Sequence, residues 1–227
     1  MPCQDYASGR RRYGVAAIAL ADGAGSRTHS ALGASTAVRI SLRLLTSAFD
    51  NFANMIERDE REARRCIFSE IARALSSVAR RSGVDAPSLA STLLFAAFKE
   101  DRFLAGHLGD GAIAMVDAED MATVLSSPEN GEYTNTTYFL TDHAAEDRLR
   151  LYSGTLRRGG FVLMSDGAAE VLYHRSTRSM APAVSQLVSW NRRFRRPKVE
   201  GALRENLAGP LARSSDDLSV AVLSTAT

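Results

Sequence analysis

A chain of 227 residues with 45% apolar and 24% charged side chains can bury one large core without staples and has an ordinary globular balance. Its formal net charge of +2 is too small to make nucleic acid or a membrane surface the main partner. Two cysteines, Cys3 and Cys66, argue against a disulfide framework; with no basic-then-apolar leader and no apolar run of about 18 residues, a cytoplasmic protein without a membrane span is expected.

In chain order, a short strand over residues 4–7 can pair with the apolar, β-capable YGVAAIALAD, across a turn-like ASGRRR. Residues 30–52 carry Leu32, Val38, Leu42, Leu45, Phe49 and Phe52 at steps that fit one buried helix face. Residues 57–81 repeat the pattern through Ile67, Ile71, Leu75 and Val78, so an antiparallel helix pair is expected. The stretch STLLFAAFKEDRFLAGHLGDGAIAMVDA reads as three strands joined by KED and GDG turns. SPENGEYTNTTYFLT is polar and turn-rich, then β-like, and GGFVLMSDGAAEVLY is a buried strand running into a helix. Residues 185–211 read as largely helical with a break near Pro197, and DDLSVAVLST is the last strand. Strands cluster in the middle and at the ends, with helices in pairs between them. This order predicts an α+β fold of mostly antiparallel sheets covered by helices.

Five aspartates stand beside these strand-like runs: Asp5 in CQDY, Asp22 in LADGAG, Asp110 in HLGDGA, Asp166 in LMSDGA and Asp216 in RSSDDLSV. Any one of them reads as a turn residue, because Asp-Gly is a common turn dipeptide. Five in one chain, three of them between an apolar run and a glycine, point to a shared use. Gathered in one place they cannot all stay ionised, since like charges raise each other's pKa. Divalent cations relieve the conflict, and oxygen-only donors favour Mg²⁺ or Mn²⁺ over Zn²⁺. His29, His107, His143 and His174 show no paired ligand spacing, and no Cys-x-x-Cys occurs.

PCQD, ADGAGS followed by LGA, STLL, HLGDG, PENGEYTNTTYFL, FVLMSDGAAEVL and SDDLSVAVL occur in the order found in the metal-dependent type 2C protein phosphatases, and the chain resembles the compact bacterial form of that family from residue 2 to about 223. The resemblance implies one domain over 1–227, a four-layer α-β-β-α sandwich with the metal site at one edge. By position, Asp22 resembles the aspartate that bridges two metals and Gly23 offers its carbonyl to one of them. Asp166 and Asp216 resemble the other core ligands, Asp5 the amino-terminal acidic position, and Asp110, with Asp166, the position of a third ion. Asp217 stands where an asparagine often follows. The implied activity is hydrolysis of phosphoserine and phosphothreonine on proteins by a water shared between two Mg²⁺ or Mn²⁺ ions. Phosphorylated proteins and a cognate serine/threonine kinase are the implied partners, and a monomer the implied state.

Three departures are visible. Ala24 replaces a histidine found after the Asp-Gly in many relatives, Gln4 replaces an acidic residue beside Asp5, and the chain begins after the strand that usually carries a phosphate-gripping arginine. Either the start is trimmed or the sheet is shorter, with an exposed edge. Arg10, Arg11 and Arg12 read as a solvated hairpin turn, and WNRRFRRPK as a solvated helix face and loop. His107 reads as a packed strand residue, and Asn130, Asn135 and Thr136 as turn residues. The departures keep a second reading open: a catalytically weak phosphoprotein-binding or regulatory module on the same fold.

Overall fold

The arginine-rich stretch before the first apolar run is strand rather than turn. A computed structural model describes residues 3–129, 137–207 and 217–225; in it β1 (Tyr6–Arg12) pairs antiparallel with β2 (Val15–Ala21), from Tyr6↔Ala21 to Arg12↔Val15. The turn is Tyr13–Gly14, with φ of 54° and 76°, the twin positive angles of a two-residue hairpin loop. Charged side chains are at home on an exposed edge strand, so the arginines do not break it.

Next come α1 (Ser30–Arg58) and α2 (Glu60–Ser82), separated by Asp59 alone. The Asp59 carboxylate accepts from Glu62 N at 3.1 Å and caps α2, which ends at Gly83 with φ 66°. Helix α1 outruns the predicted 30–52: beyond Phe52 and Ala53, Met55 and Ile56 still pack, partly buried, against the same core.

The rest of the chain runs β3 (Leu93–Lys99), β4 (Arg102–Leu108), β5 (Ala112–Val116), β6 (Ala122–Ser126), α3 (Ala145–Arg148), β7 (Arg150–Thr155), β8 (Gly160–Met164), α4 (Asp166–Leu172), β9 (Tyr173–His174), β10 (Ser179–Met180), α5 (Pro182–Arg193), α6 (Arg196–Leu207) and β11 (Val220–Ser224). Among the described residues all strand pairs are antiparallel, in one sheet ordered β1-β2-β3-β4-β7, a second ordered β11-β8-β5-β6, and a small β10-β9 ribbon. The GDG step is therefore not a hairpin turn. It carries the chain from β4 in one sheet to β5 in the other. Gly109 permits this with φ 117°, and a Cβ there would lie 2.6 Å from Thr92 Cγ2.

Each principal sheet buries both faces. Val15, Ala17, Ala19 and Ala21 of β2 pack with Val38, Leu45, Ile67 and Ile71 of the helix pair. Ala16, Ile18 and Leu20 face the second sheet, meeting Ile113, Phe161 and Leu163. This double burial is why β2 is apolar throughout instead of alternating. The rings of Phe103 and Phe161, 5.2 Å apart, join the two sheets. On the far face of the second sheet, Ala112, Ala114, Val162 and Met164 pack against Ala168 and Leu172 of α4 and Val184 and Val188 of α5. Of residues 185–211, read as one interrupted helix, the described ones, up to 207, hold the end of α5 and then α6, with Pro197 in the first turn of α6, where its missing N–H costs nothing. No helix among the described residues is long and apolar enough to cross a membrane.

Candidate active site

Strand β2 delivers Asp22 to the edge of the first sheet. Its main chain is clamped to the entry of β3: Asp22 N donates to Thr92 Oγ1 at 3.0 Å, and Thr92 N donates to Asp22 O at 2.8 Å. Gly23 follows, bridged to Ser91. A Cβ on Gly23 would stand 2.9 Å from both Gln4 O and the Ser30 carbonyl carbon, so only glycine lets these three segments meet. Asp5 precedes β1, one step beyond the Tyr6↔Ala21 pair, which sets it across from Asp22, and both of its side-chain oxygens are shielded from solvent.

Strand β8 delivers the second carboxylate, Asp166, as the first residue of α4. Ser165 ties that point to the entry of β11: Ser165 N donates to Ser219 O at 3.0 Å, Ser219 N to Ser165 Oγ at 3.0 Å, and Ser165 Oγ to Asp217 O at 3.2 Å. Asp217 Oδ2 in turn accepts from Gln4 N at 2.9 Å, drawing residues 213 positions apart together. The crossover between sheets supplies Asp110, whose carboxylate accepts a hydrogen bond from the Thr137 hydroxyl. Asp22, Gly23, Asp110, Asp166 and Asp217 line one cavity of about 180 Å³ with Thr92, Thr137 and Phe139.

The electrostatics of this cavity are dominated by its own acids. Burial first, then the negative charge of Asp5, then that of Asp166, pushes the Asp22 carboxyl up to about 10. The Cys3 thiol nearby is also pushed up, by burial and then by the charges of Asp5 and Asp217. Among the described residues no three of the carboxylates close around a single point as ligands. The chemistry of the donor set nonetheless fits hard divalent cations: every donor is an oxygen, burial and neighbouring acids push the Asp22 carboxyl up for want of positive charge, and Gly23 keeps a main-chain carbonyl approachable.

Of the residues singled out from sequence, Asp22, Gly23, Asp110 and Asp166 come together in the cavity and Asp5 stands behind Asp22. Asp216, Asn130, Asn135 and Thr136 lie outside the described residues. Asp217, which the resemblance passes over, lines the cavity, as do Thr92, Thr137 and Phe139. Thr92 sits in the STLL motif, but its role shows only through pairing with a strand 70 residues away. His107 is a core residue: it is fully buried, its Nδ1 lies 2.8 Å from Ser126 Oγ, and burial and then the Arg150 charge push its pKa well down. Arg10, Arg11 and Arg12 occupy the far half of β1 and line no part of the acidic cavity.

A family model described as "Protein phosphatase 2C" matches residues 1–209. No curated protein matches the chain by sequence. Among solved structures, the chain is similar to the serine/threonine phosphatase Stp1 from Staphylococcus aureus, with a TM-score of 0.67 at 15% identity over 100% of this chain and 90% of that one. It is also similar to the S. agalactiae serine/threonine phosphatase, with a TM-score of 0.63 at 17% identity over 99% of this chain and 93% of that one. RsbX in complex with magnesium gives a TM-score of 0.54 at 12% identity, over 98% of this chain and 87% of that one. At such identities the likeness to these structures is one of fold.

Proposed function

Because the chain belongs to the protein phosphatase 2C family, a family of hydrolases, we propose that it removes phosphate from phosphoserine and phosphothreonine on proteins, opposite a serine/threonine kinase, with Mg²⁺ or Mn²⁺ held in the acidic cavity. The observation that carries this reading is the convergence of Asp22, Asp110, Asp166 and Asp217 on one cavity, where burial and the neighbouring acids Asp5 and Asp166 push the Asp22 carboxyl up. Asp22, Asp166 and the Gly23 carbonyl would hold the ions, and Asp110 with Asp166 would serve a third. Asp217, which lines the cavity beside the entry to β11, and Asp216, on the strength of the sequence resemblance alone, would add donors, and Asp5 acts on the cluster through Asp22. When bound, such ions supply a Lewis acid that lowers the pKa of a water and neutralises charge on the phosphate oxygens.

The chain's own residues do the positioning. Thr92 holds the Asp22 main chain, Thr137 orients Asp110, and Ser165 fixes the Asp166 and Asp217 segments to each other. Among the described lining residues the two threonine hydroxyls serve this positioning, Thr92 Oγ1 accepting from Asp22 N and Thr137 donating to Asp110. Water is the proposed nucleophile. One observation favours the second reading, a catalytically weak phosphoprotein-binding module: among the described residues no lysine or arginine lines the cavity to grip phosphate. Hydrolysis of a phosphothreonine peptide with and without Mn²⁺ separates the two. Wild type should be Mn²⁺-dependent and Asp166→Asn at least about a hundredfold slower; a wild type as inert as the variant in saturating Mn²⁺ would leave only the binding module.

A further inference from the structure

Among the described residues strand β1 pairs only with β2, so its other side is the edge of the first sheet. Beside it lies a groove of about 370 Å³, walled by β1 from Ala7 to Arg11, by β11 of the second sheet, and by Val199 and Leu203 of α6. Strand β11 is likewise an edge strand, so the groove lies where both sheets end. Ala7, Gly9 and Arg11 point to the inter-sheet side, as their partners Leu20, Ile18 and Ala16 do, and the first two are too small to fill it. Gly9 has room to spare: a Cβ there would make only ordinary contacts at 3.4 Å. The groove is therefore apolar in its floor and bordered by unpaired strand backbone, the surface that accepts an extended peptide by strand addition.

Its charge identifies the peptide. Arg10 and Arg11 line the groove and, among the described residues, have no ion-pair partner, whereas the groove's acid Glu200 is held by Arg196 at 2.6 Å. The opposite end of the same strand abuts the acidic cavity, since Asp5 immediately precedes Tyr6. At about 3.3 Å per residue, Arg10 and Arg11 lie roughly 17 and 20 Å from Asp5 along the strand. We propose that β1 and the groove beside it dock phosphoprotein substrates as an added strand, selecting those with acidic residues five to six positions from the phosphorylated residue. This deepens the phosphatase reading and rests on it for the identity of the peptide. Three exposed arginines on an edge strand also discourage self-association, but that role predicts no preference among peptides.

The test compares phosphothreonine peptides with two acidic residues five and six positions before the phosphothreonine, the same pair after it, or alanines instead. With Mn²⁺ and wild type, one acidic peptide should exceed the alanine peptide in kcat/KM by about five- to tenfold, mainly through KM. The double variant Arg10→Ser/Arg11→Ser should erase that advantage while hydrolysing p-nitrophenyl phosphate, too small to reach the groove, at the wild-type rate. Gly9→Val, which fills the groove without changing charge, should weaken all three peptides and spare p-nitrophenyl phosphate. Anisotropy of the same labelled peptides measures docking without turnover and should show the same order of affinities. If neither p-nitrophenyl phosphate nor any peptide is hydrolysed, the phosphatase reading fails while anisotropy still decides the docking. Equal binding of acidic and alanine peptides, or an acidic preference that survives loss of Arg10 and Arg11, would overturn the proposal.

Discussion

Asp22 is where residue-level chemistry makes the sharpest demands. Its carboxyl is raised from an ordinary 3.8 to about 10, so without metal the native state binds a proton at neutral pH that the unfolded chain does not. The stability tied to that proton is fully present below about pH 4 and is lost as pH rises toward 10. Metal-free wild type should therefore lose stability between pH 5 and 9, by at most about 1.4 kcal/mol per pH unit for one proton. Urea unfolding in the presence of a chelator checks this, and Asp22→Asn should flatten the slope; parallel slopes in the two proteins would contradict the assignment. Gly23 makes a steric demand at the same point. Backbone on two sides stands 2.9 Å from a would-be Cβ, so Gly23→Ala should lower stability by about 1–3 kcal/mol and displace the Gly23 carbonyl, which the proposed function assigns to the metal. A melting temperature and Mn²⁺ affinity unchanged in Gly23→Ala would show that the approach of Gln4 and Ser30 is not needed.

At the scale of elements, burial patterns explain what could be read from sequence and what could not. Strand β2 and the helix pair were legible because burial on two faces or one leaves a plain apolar signature. The hairpin with β2 was legible, but the strand was placed at residues 4–7 and the far half of β1 taken for its turn, because an exposed edge strand needs no apolar residues and the three arginines carry no strand signal. The GDG step was misread because a crossover between sheets and a hairpin use the same dipeptide chemistry. In the site, Asp22, Asp110 and Asp166 were legible from an apolar run meeting Asp-Gly, whereas choosing between the neighbours Asp216 and Asp217 needs the fold that brings Gln4 N to Asp217. The α2 cap gives a prediction that belongs to this scale. Asp59 follows the end of α1 remote from Ser30 and the site, beyond a kink at Ala48 where the backbone leaves helical geometry. Asp59→Ala should cost about 1 kcal/mol of stability and leave kcat/KM for p-nitrophenyl phosphate unchanged; a change in activity would mean the helix pair is coupled to the cavity.

For the molecule as a whole, the cavity is where the ends of separate elements meet: β1 and β2 of one sheet, β8 and β11 of the other, and the crossover between them. Carboxylates from residues 5 to 217 are brought together there against their mutual repulsion, and ions binding them only in the folded state must raise its stability. Melting temperature should accordingly climb with Mn²⁺ in wild type and hardly at all in Asp166→Asn. The most direct measurement is a calorimetric titration of Mn²⁺ near pH 7.5 in buffers of different ionisation enthalpy. A protonated Asp22 must give up its proton to the ion, so wild type should bind Mn²⁺ and release close to one proton, while Asp22→Asn binds weakly and releases none. No binding by wild type at millimolar Mn²⁺, or equal binding and proton release by the variant, would contradict a metal centre built on Asp22.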